Sequence, residues 1–188
     1  MTAYGSLTAI AGPMFGGKST ATLKRILWAK NGENRPVHVF KIAFDNRYAD
    51  DEIVSHDGLR SPAVSINKIP DTVFAPGDIV FLDEIQFWTP EYFEGDVVAW
   101  VKSLLSQGIE VVVAGLDMDW KGDPFEVTAK FLAMANITEK LTAHCTVCGR
   151  PASKTYKKVQ APESGSVELG AQESYEARCN SHWQTPSA

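Results

Sequence analysis

Apolar runs along the chain predict four β-strands that are buried on both faces. In these runs the apolar residues follow one another instead of alternating with polar ones, as in strands that helices cover on both sides. The predicted strands are Leu7–Ala11, Val37–Lys41, Ile79–Asp83 and Glu110–Ala114.

Segments with helical periodicity lie between and after these runs. The predicted helices are Ser19–Lys30, Pro90–Gln107 and Phe125–Met134. Strands that alternate with helices are typical of an α/β fold with a largely parallel sheet. Residues 45–78 have a weaker pattern, which indicates functional loops within the fold.

A phosphate-binding loop is predicted between the first strand and the first helix, where residues 12–19 fit the motif G-x-x-x-x-G-K-[ST]. The glycines let backbone N–H groups turn toward a phosphate chain, and the helix N-terminus adds partial positive charge. Lys18 would reach the β- and γ-phosphates of a nucleoside triphosphate, and the Ser19 hydroxyl would bind Mg²⁺. The alternative is an ordinary glycine turn before a helix. The predicted phosphate-binding residues are Gly12, Pro13, Met14, Phe15, Gly16, Gly17, Lys18, Ser19 and Thr20.

Two adjacent carboxylates end the third apolar run. Asp83 is placed to hold the magnesium ion through water, opposite Ser19. Glu84 points elsewhere, toward the carboxyl edge of the sheet, and could accept a proton from an attacking hydroxyl. The alternative for Glu84 is a solvated residue at the start of a loop. Gln86 could add a polar contact, and Phe87 is either pocket wall or core.

The C-terminal part of the chain contains two predicted metal-binding knuckles. Cys145 and Cys148 form the first, and Cys179 and His182 form the second. Four soft or borderline ligands in this spacing suit a structural, tetrahedral Zn²⁺ site. A redox disulfide between Cys145 and Cys148 is the alternative, but it would leave Cys179 without a partner.

Composition and charge narrow the class of protein. The 188 residues carry 18 basic and 23 acidic side chains, a net charge of −5, so nucleic acid and anionic membranes are poor candidate partners. The segment Met1–Gly5 has no basic signal-peptide region, and the chain has no apolar stretch of about 20 residues that could span a bilayer. We therefore expect a cytoplasmic protein.

Taken together, the motifs resemble those of the type II thymidine kinases, from Leu7 to His182. Besides the phosphate loop and the two knuckles, the shared segments are Asp45-x-Arg47-Tyr48, Ser55–Gly58, Asp83–Phe87 and Gly115–Phe125. The resemblance implies a P-loop (RecA-like), mostly parallel sheet flanked by helices over residues 1–141. It also implies a zinc-binding lasso over residues 142–184 that closes over the nucleoside, followed by a tail at 185–188.

In this family Glu84 matches the general base that deprotonates the 5′-hydroxyl of thymidine for attack on the γ-phosphate of ATP. Arg47 matches a second catalytic residue near the reacting oxygens, and Asp83 matches the magnesium-linked acid. Deoxyuridine is implied as a secondary substrate. Trp120 stands where the family usually has phenylalanine, which reshapes the expected pocket. The nucleoside-binding residues implied by the resemblance are Met14, Asp45, Gln86, Phe87, Leu116, Trp120, Phe125, Thr155, Val167, Glu168, Leu169, Gly170 and Tyr175.

The resemblance further implies a homotetramer and feedback inhibition by thymidine triphosphate. Two other functions stay open at this point. A nucleic-acid-dependent ATPase would use Asp83 and Glu84 to activate water, although the acidic balance argues against it. A regulatory module without turnover is disfavoured because the expected catalytic side chains are present.

Overall fold

A six-stranded, all-parallel sheet forms the centre of the structure, a computed structural model that describes residues 4–43, 52–55, 57–158 and 174–183. The strand order is β5-β2-β6-β7-β1-β8. These strands are β1 (Leu7–Gly12), β2 (Val37–Ile42), β5 (Val64–Ile66), β6 (Ile79–Leu82), β7 (Glu110–Leu116) and β8 (Ile137–Lys140). The predicted mostly parallel α/β fold is confirmed.

Helices cover both faces of this sheet. The helices are α1 (Lys18–Asn31), α2 (Val97–Ser106), α3 (Glu126–Met134) and a 3₁₀ turn at Ile85–Phe87. Leu23 and Ile26 of α1 pack on one face, in a cluster with Phe81. Val80, the preceding residue of β6, faces the opposite cluster together with α2 and α3. The strands are therefore buried on both sides, as their unbroken apolar runs predict.

The second helix begins later than the sequence pattern predicts. The predicted start was Pro90, but the helix begins at Val97, because the Asp96 side chain caps it by accepting hydrogen bonds from the Val98 and Ala99 N–H groups at 2.9 and 3.0 Å. Gly95, with φ of +124°, turns the chain just before this cap.

The described residues between 52 and 78 are more regular than predicted. Strands β3 (Glu52–Val54) and β4 (Arg60–Pro62) form an antiparallel hairpin, and β5 joins the sheet beside β2. Strand β8, on the other edge of the sheet, was not predicted either. These strands have three or four residues each and are partly exposed, so they lack the long apolar run that marks the central strands.

Two short hairpins form the described part of the C-terminal region. The first pairs β9 (Ala143–His144) with β10 (Pro151–Ala152), and the second pairs β11 (Lys154–Lys157) with β12 (Tyr175–Arg178). They have a small apolar cluster of their own, which includes Cys145 and Cys179. The predicted boundary between residues 141 and 142 stays a prediction. None of the helices in the described part of the chain combines the length and the apolar character needed to cross a membrane.

Candidate active site

The predicted phosphate loop joins the end of β1 to the start of α1. Gly12 ends the strand, and a Cβ atom there would lie 2.6 Å from the carbonyl oxygen of Leu141, so only glycine fits. Gly17, with φ of +79°, has the left-handed conformation that glycine adopts without strain. The Lys18 Nζ atom donates a hydrogen bond to the Pro13 carbonyl at 2.8 Å, which closes the loop on itself.

Three carboxylates act on Lys18 from the ends of neighbouring strands. The pKa of Lys18 is lowered, because burial disfavours the charged form. The negative charges of Glu84, Asp83 and Asp117 offset part of this effect. Asp83 and Glu84 follow β6, and Asp117 follows β7. The carboxyl edge of the sheet thus concentrates negative charge next to the predicted phosphate loop.

Asp83 and Glu84 differ in burial, and the chain turns sharply at Glu84, just before the 3₁₀ helix. Glu84 has φ of +51°, which is uncommon for a residue with a side chain and marks local strain. Asp83 is buried, and its carbonyl accepts a hydrogen bond from the Trp88 indole at 2.9 Å. Glu84 is half-buried and faces the side chain of Gln86.

Gln86 connects Glu84 to strand β7. Its side-chain amide donates a hydrogen bond to the Glu84 carboxylate, and its carbonyl oxygen accepts one from the Leu116 N–H at 2.9 Å. Gly115 permits this approach, because a Cβ atom there would lie 2.9 Å from the Ile85 nitrogen and would overlap the Gln86 side chain. Gln86 therefore holds Glu84 in one orientation. The sequence pattern predicted only that Gln86 adds a polar contact.

The pKa of Asp83 is raised to about 7. Burial is the main cause, and the negative charge of Glu84 adds to it, while Lys18 and Lys41 act in the opposite direction. An ionised Asp83 is therefore costly until a further cation lies beside it.

The nucleoside-binding residues predicted on described segments occupy several elements around the same edge. The Met14 N–H of the phosphate loop donates a hydrogen bond to Thr155 Oγ1 of β11 at 3.1 Å, although the two residues are far apart in sequence. Leu116, Thr155 and Tyr175 are buried, and Phe125 is half-buried at the start of α3. Thr155 thus brings the C-terminal hairpins into direct contact with the phosphate loop.

The two remaining aromatic predictions differ in their surroundings. Phe87 packs against the main core and makes an edge contact with Tyr92, with ring centroids 5.9 Å apart. Trp120 is half-buried, and the ammonium groups of Lys121 and Lys157 lie 5.2 and 5.5 Å from its ring centroid.

The structure does not describe all of the predicted site residues. Asp45 and Arg47, together with Val167, Glu168, Leu169 and Gly170, lie outside the described residues. Thr20, predicted to contact phosphate, donates a hydrogen bond to Asp57 of the Ser55–Gly58 motif at 3.0 Å, and its phosphate contact stays a prediction.

The two knuckles bring four metal-ligand atoms together. Those of Cys145, Cys148, Cys179 and His182 all lie within 4.8 Å of one another. In a tetrahedral zinc site, bonds of about 2.3 Å to sulfur and 2.0–2.1 Å to nitrogen put ligand atoms about 3.5–3.8 Å apart. The Cys148 and Cys179 sulfurs are 3.8 Å apart, and the His182 Nδ1 atom lies 3.6 Å from the Cys145 sulfur and 3.3 Å from that of Cys179.

The backbone favours the thiolate form that a metal needs. The pKa of the Cys145 thiol is lowered to about 5. Burial raises this pKa, but hydrogen bonds from the backbone at Cys179, Val147 and Cys148 together outweigh that effect. A hydrogen bond from the Arg150 side chain is the main cause that lowers the pKa of Cys148. The donor set, its spacing and its electrostatics therefore fit a zinc ion.

Comparison with known proteins decides the family. The sequence model of the family described as "Thymidine kinase" matches residues 5–183. The chain is also 40% identical over 197 aligned positions to a thymidine kinase from Thermococcus kodakarensis, an alignment that covers 97% of this chain and 95% of that relative. The chain belongs to the thymidine kinase family. The resemblance inferred from the motifs is thereby confirmed, and this member of the thymidine kinase family is an ATP-dependent kinase.

Sequence reasoning missed one charged group in the candidate site of this thymidine kinase family member. Asp117 was part of a recognised motif, but no role was assigned to it. Its side chain is only 4% exposed, and it lies 3.2 Å from the Lys140 ammonium group. The available sequence signal was an acidic residue directly after a buried strand, the same signal that identified Asp83.

The raised pKa of Asp83 predicts a pH-dependent stability. The usual aspartate pKa is 3.8, so between about pH 4 and pH 7 the folded protein keeps a proton that the unfolded chain releases. The contribution of Asp83 to stability is thus fully present below pH 4 and is lost as the pH rises to 7. The free energy of unfolding of Asp83→Asn relative to wild type should increase by about 2–3 kcal/mol from pH 5 to pH 8.

Urea unfolding in magnesium-free buffer at the two pH values measures this change. The control is Asp123→Asn, which alters an exposed aspartate and should leave the pH dependence of the wild type intact. Parallel pH dependences for Asp83→Asn and wild type would show that Asp83 is ionised in the folded protein at pH 5.

Proposed function

We propose that this protein transfers the γ-phosphate of ATP to the 5′-hydroxyl of thymidine, giving thymidine monophosphate and ADP, with deoxyuridine as a secondary substrate. The observation that carries this proposal is the meeting of a phosphate loop and a positioned carboxylate at one edge of the sheet. Lys18 lies within the electrostatic influence of Glu84 and Asp83. Membership of the thymidine kinase family supports the choice of substrates.

The phosphate loop is proposed to bind the triphosphate of ATP. Its backbone N–H groups and the start of α1 would face the phosphates, and Lys18 would exchange its hydrogen bond to Pro13 for the β- and γ-phosphate oxygens. Ser19 and Asp83 are the oxygen donors proposed to hold Mg²⁺. When bound, Mg²⁺ neutralises the phosphate charge that develops during transfer. The raised pKa of Asp83 supports this assignment, because the buried carboxylate lacks enough positive charge nearby.

Glu84 is proposed as the general base. As the 5′-oxygen of thymidine forms its bond to the γ-phosphorus and the bond to ADP breaks, the Glu84 carboxylate accepts the hydroxyl proton. Gln86 supports this role, because its bridge to Leu116 holds the carboxylate in one orientation. Arg47 is proposed to stabilise the transferring phosphoryl group.

The thymine base is proposed to lie between the sheet edge and the C-terminal hairpins. Met14, Leu116, Thr155 and Tyr175 would surround its 5-methyl group, while the aromatic side chains of Phe87, Trp120 and Phe125 would line the pocket. The Met14–Thr155 hydrogen bond supports this arrangement because it joins residues from both sides of the pocket. Methyl contacts separate substrates by roughly 1–3 kcal/mol, so deoxyuridine should react less efficiently but still react.

Residues outside the described part of the chain are proposed to complete the nucleoside site. Backbone groups of residues 167–170 would read the thymine edge, because a peptide N–H and C=O match its acceptor and donor. Asp45 would lie near the sugar.

The cluster of Cys145, Cys148, Cys179 and His182 is proposed to hold a structural Zn²⁺ ion. The ligand spacing and the lowered pKa of Cys145 support it. Such an ion would fix the two ends of the lasso, residues 142–184, over the nucleoside. We also propose a homotetramer that thymidine triphosphate inhibits by occupying the base pocket and the phosphate loop together; these two features derive from the family resemblance alone. The cytoplasmic location is proposed from the sequence itself.

Replacement of Glu84 by glutamine tests the proposed base. Glu84→Gln keeps the size of the side chain but cannot take up the proton, so kcat should fall by about 10²–10⁴. The dissociation constants of thymidine and of a non-hydrolysable ATP analogue, measured by calorimetry, should stay within about twofold of wild type.

Glu91→Gln is the matched control, since Glu91 is an exposed glutamate in the segment after the 3₁₀ helix, and it should retain the wild-type kcat. A Glu84→Gln enzyme with a kcat within about threefold of wild type, far less than the loss of a general base costs, would rule out Glu84 as the base.

The zinc proposal predicts the metal content and a selective loss of nucleoside affinity. Mass spectrometry of the purified protein should find one zinc ion per chain, and Cys179→Ser should lose it. Release of the lasso should weaken thymidine binding by about tenfold or more, and the binding of the ATP analogue far less.

His144→Asn is the control, because His144 is an exposed histidine next to the cluster but not part of it. It should keep both the zinc and the thymidine affinity. A wild-type protein that binds thymidine but contains no zinc would contradict this account of the cluster.

A further inference from the structure

An ion pair crosses the point at which the phosphate loop begins. Strands β7 and β8 lie on either side of β1. Asp117 directly follows β7, Lys140 is the last residue of β8, and their carboxylate and ammonium groups are 3.2 Å apart. Because Gly12 pairs with Leu116 and Ala11 pairs with Lys140, this Asp117–Lys140 pair spans the end of β1.

Stability alone gives little reason for this ion pair. The Asp117 side chain is 4% exposed, and neither of its carboxylate oxygens accepts a hydrogen bond from any residue that the structure describes. The contact with Lys140 therefore lacks hydrogen-bond geometry, although its distance is that of an ion pair. Removing a carboxylate from water costs several kcal/mol, and a single imperfect partner seldom recovers that cost.

Both residues of the pair are linked to the phosphate loop, Lys140 through its neighbour Leu141 and Asp117 through its charge. Leu141, next to Lys140, donates its backbone N–H to the Ala11 carbonyl at 2.7 Å, and its own carbonyl fills the space beside Gly12. On the other side, the negative charge of Asp117 acts on Lys18 and favours its charged form. A displacement of Lys140 would therefore shift the start of the loop, and a displacement of Asp117 would change the electrostatic environment of Lys18.

We propose that Asp117 and Lys140 are positioning residues for the phosphate loop, and that their ion pair holds the start of the loop and Lys18 in the geometry that binds ATP. This inference rests on the proposed function and deepens it. Lys140 has a second effect, because its positive charge lies beside a buried carboxylate that has no hydrogen-bond partner among the described residues. Lys140 itself is 58% exposed, so its substitution disturbs no core packing.

Four variants separate a positioning role from a structural one. Lys140→Met leaves the buried carboxylate unpaired, whereas the double variant Asp117→Asn with Lys140→Met removes both charges and avoids that penalty, so it should fold. Lys140→Arg keeps the charge. Lys130→Met is the matched control, since Lys130 is a lysine of similar exposure, 53%, whose ion pair with Glu126 lies on α3.

Calorimetry with a non-hydrolysable ATP analogue and, separately, with thymidine gives the decisive readout. Loss of positioning should raise the dissociation constant of the analogue about tenfold in Lys140→Met and in the double variant, because small displacements of binding groups are costly. The dissociation constant of thymidine should change by less than about twofold. Lys140→Arg should restore affinity for the analogue, and Lys130→Met should not alter it.

Two results would refute the positioning role, and a third would refute the proposed function. If the double variant bound the analogue as tightly as the wild type, whatever its melting temperature, the positioning role would be refuted and the pair would be structural. If thymidine affinity fell as much as analogue affinity, the effect would be general and the proposal would again fail. A wild-type protein that bound neither ligand would refute the proposed function itself.

Discussion

Parallel pairing of β6, β7 and β1 is the constraint on which the candidate site depends. In a parallel sheet every strand ends at the same edge, so Asp83, Asp117 and the phosphate loop meet there although they are far apart in the sequence. The chemistry follows from what that edge collects. Glu84, Asp83 and Asp117 all act on the charge of Lys18, and burial raises the pKa of the Asp83 carboxyl. These charges are the basis of the proposed binding of a phosphate chain together with a metal ion.

Two local contacts connect this edge to the other parts of the candidate site. Gln86 holds Glu84 from β7, which is possible only because Gly115 leaves room for it. The Met14–Thr155 hydrogen bond joins the phosphate loop to the C-terminal hairpins, whose ends the cysteine cluster brings together. The proposed metal ion, the proposed nucleoside pocket and the phosphate loop are therefore parts of one connected arrangement.

The central strands, the phosphate loop and the metal cluster could be predicted because each has a strong local signal. Unbroken apolar runs mark β1, β6 and β7, and two-residue spacers mark the knuckles. Strands β5 and β8 lacked such a signal, since they are short edge strands with exposed or polar residues. The start of α2 was placed too early because the cap at Asp96 follows a segment that looks helical by composition. The contacts of Asp117 with Lys140 and of Met14 with Thr155 arise only when distant segments meet, so no local pattern could indicate them.

Direct identification of the reaction product tests the central claim most sharply. The purified protein would be incubated with ATP, Mg²⁺ and thymidine, and the products identified and counted by mass spectrometry. The account predicts thymidine monophosphate and ADP in equal amounts, and no phosphorylated product from 5′-deoxythymidine, which lacks the attacking hydroxyl. ADP formed at the same rate without any nucleoside, with no thymidine monophosphate, would contradict the account and indicate an ATPase.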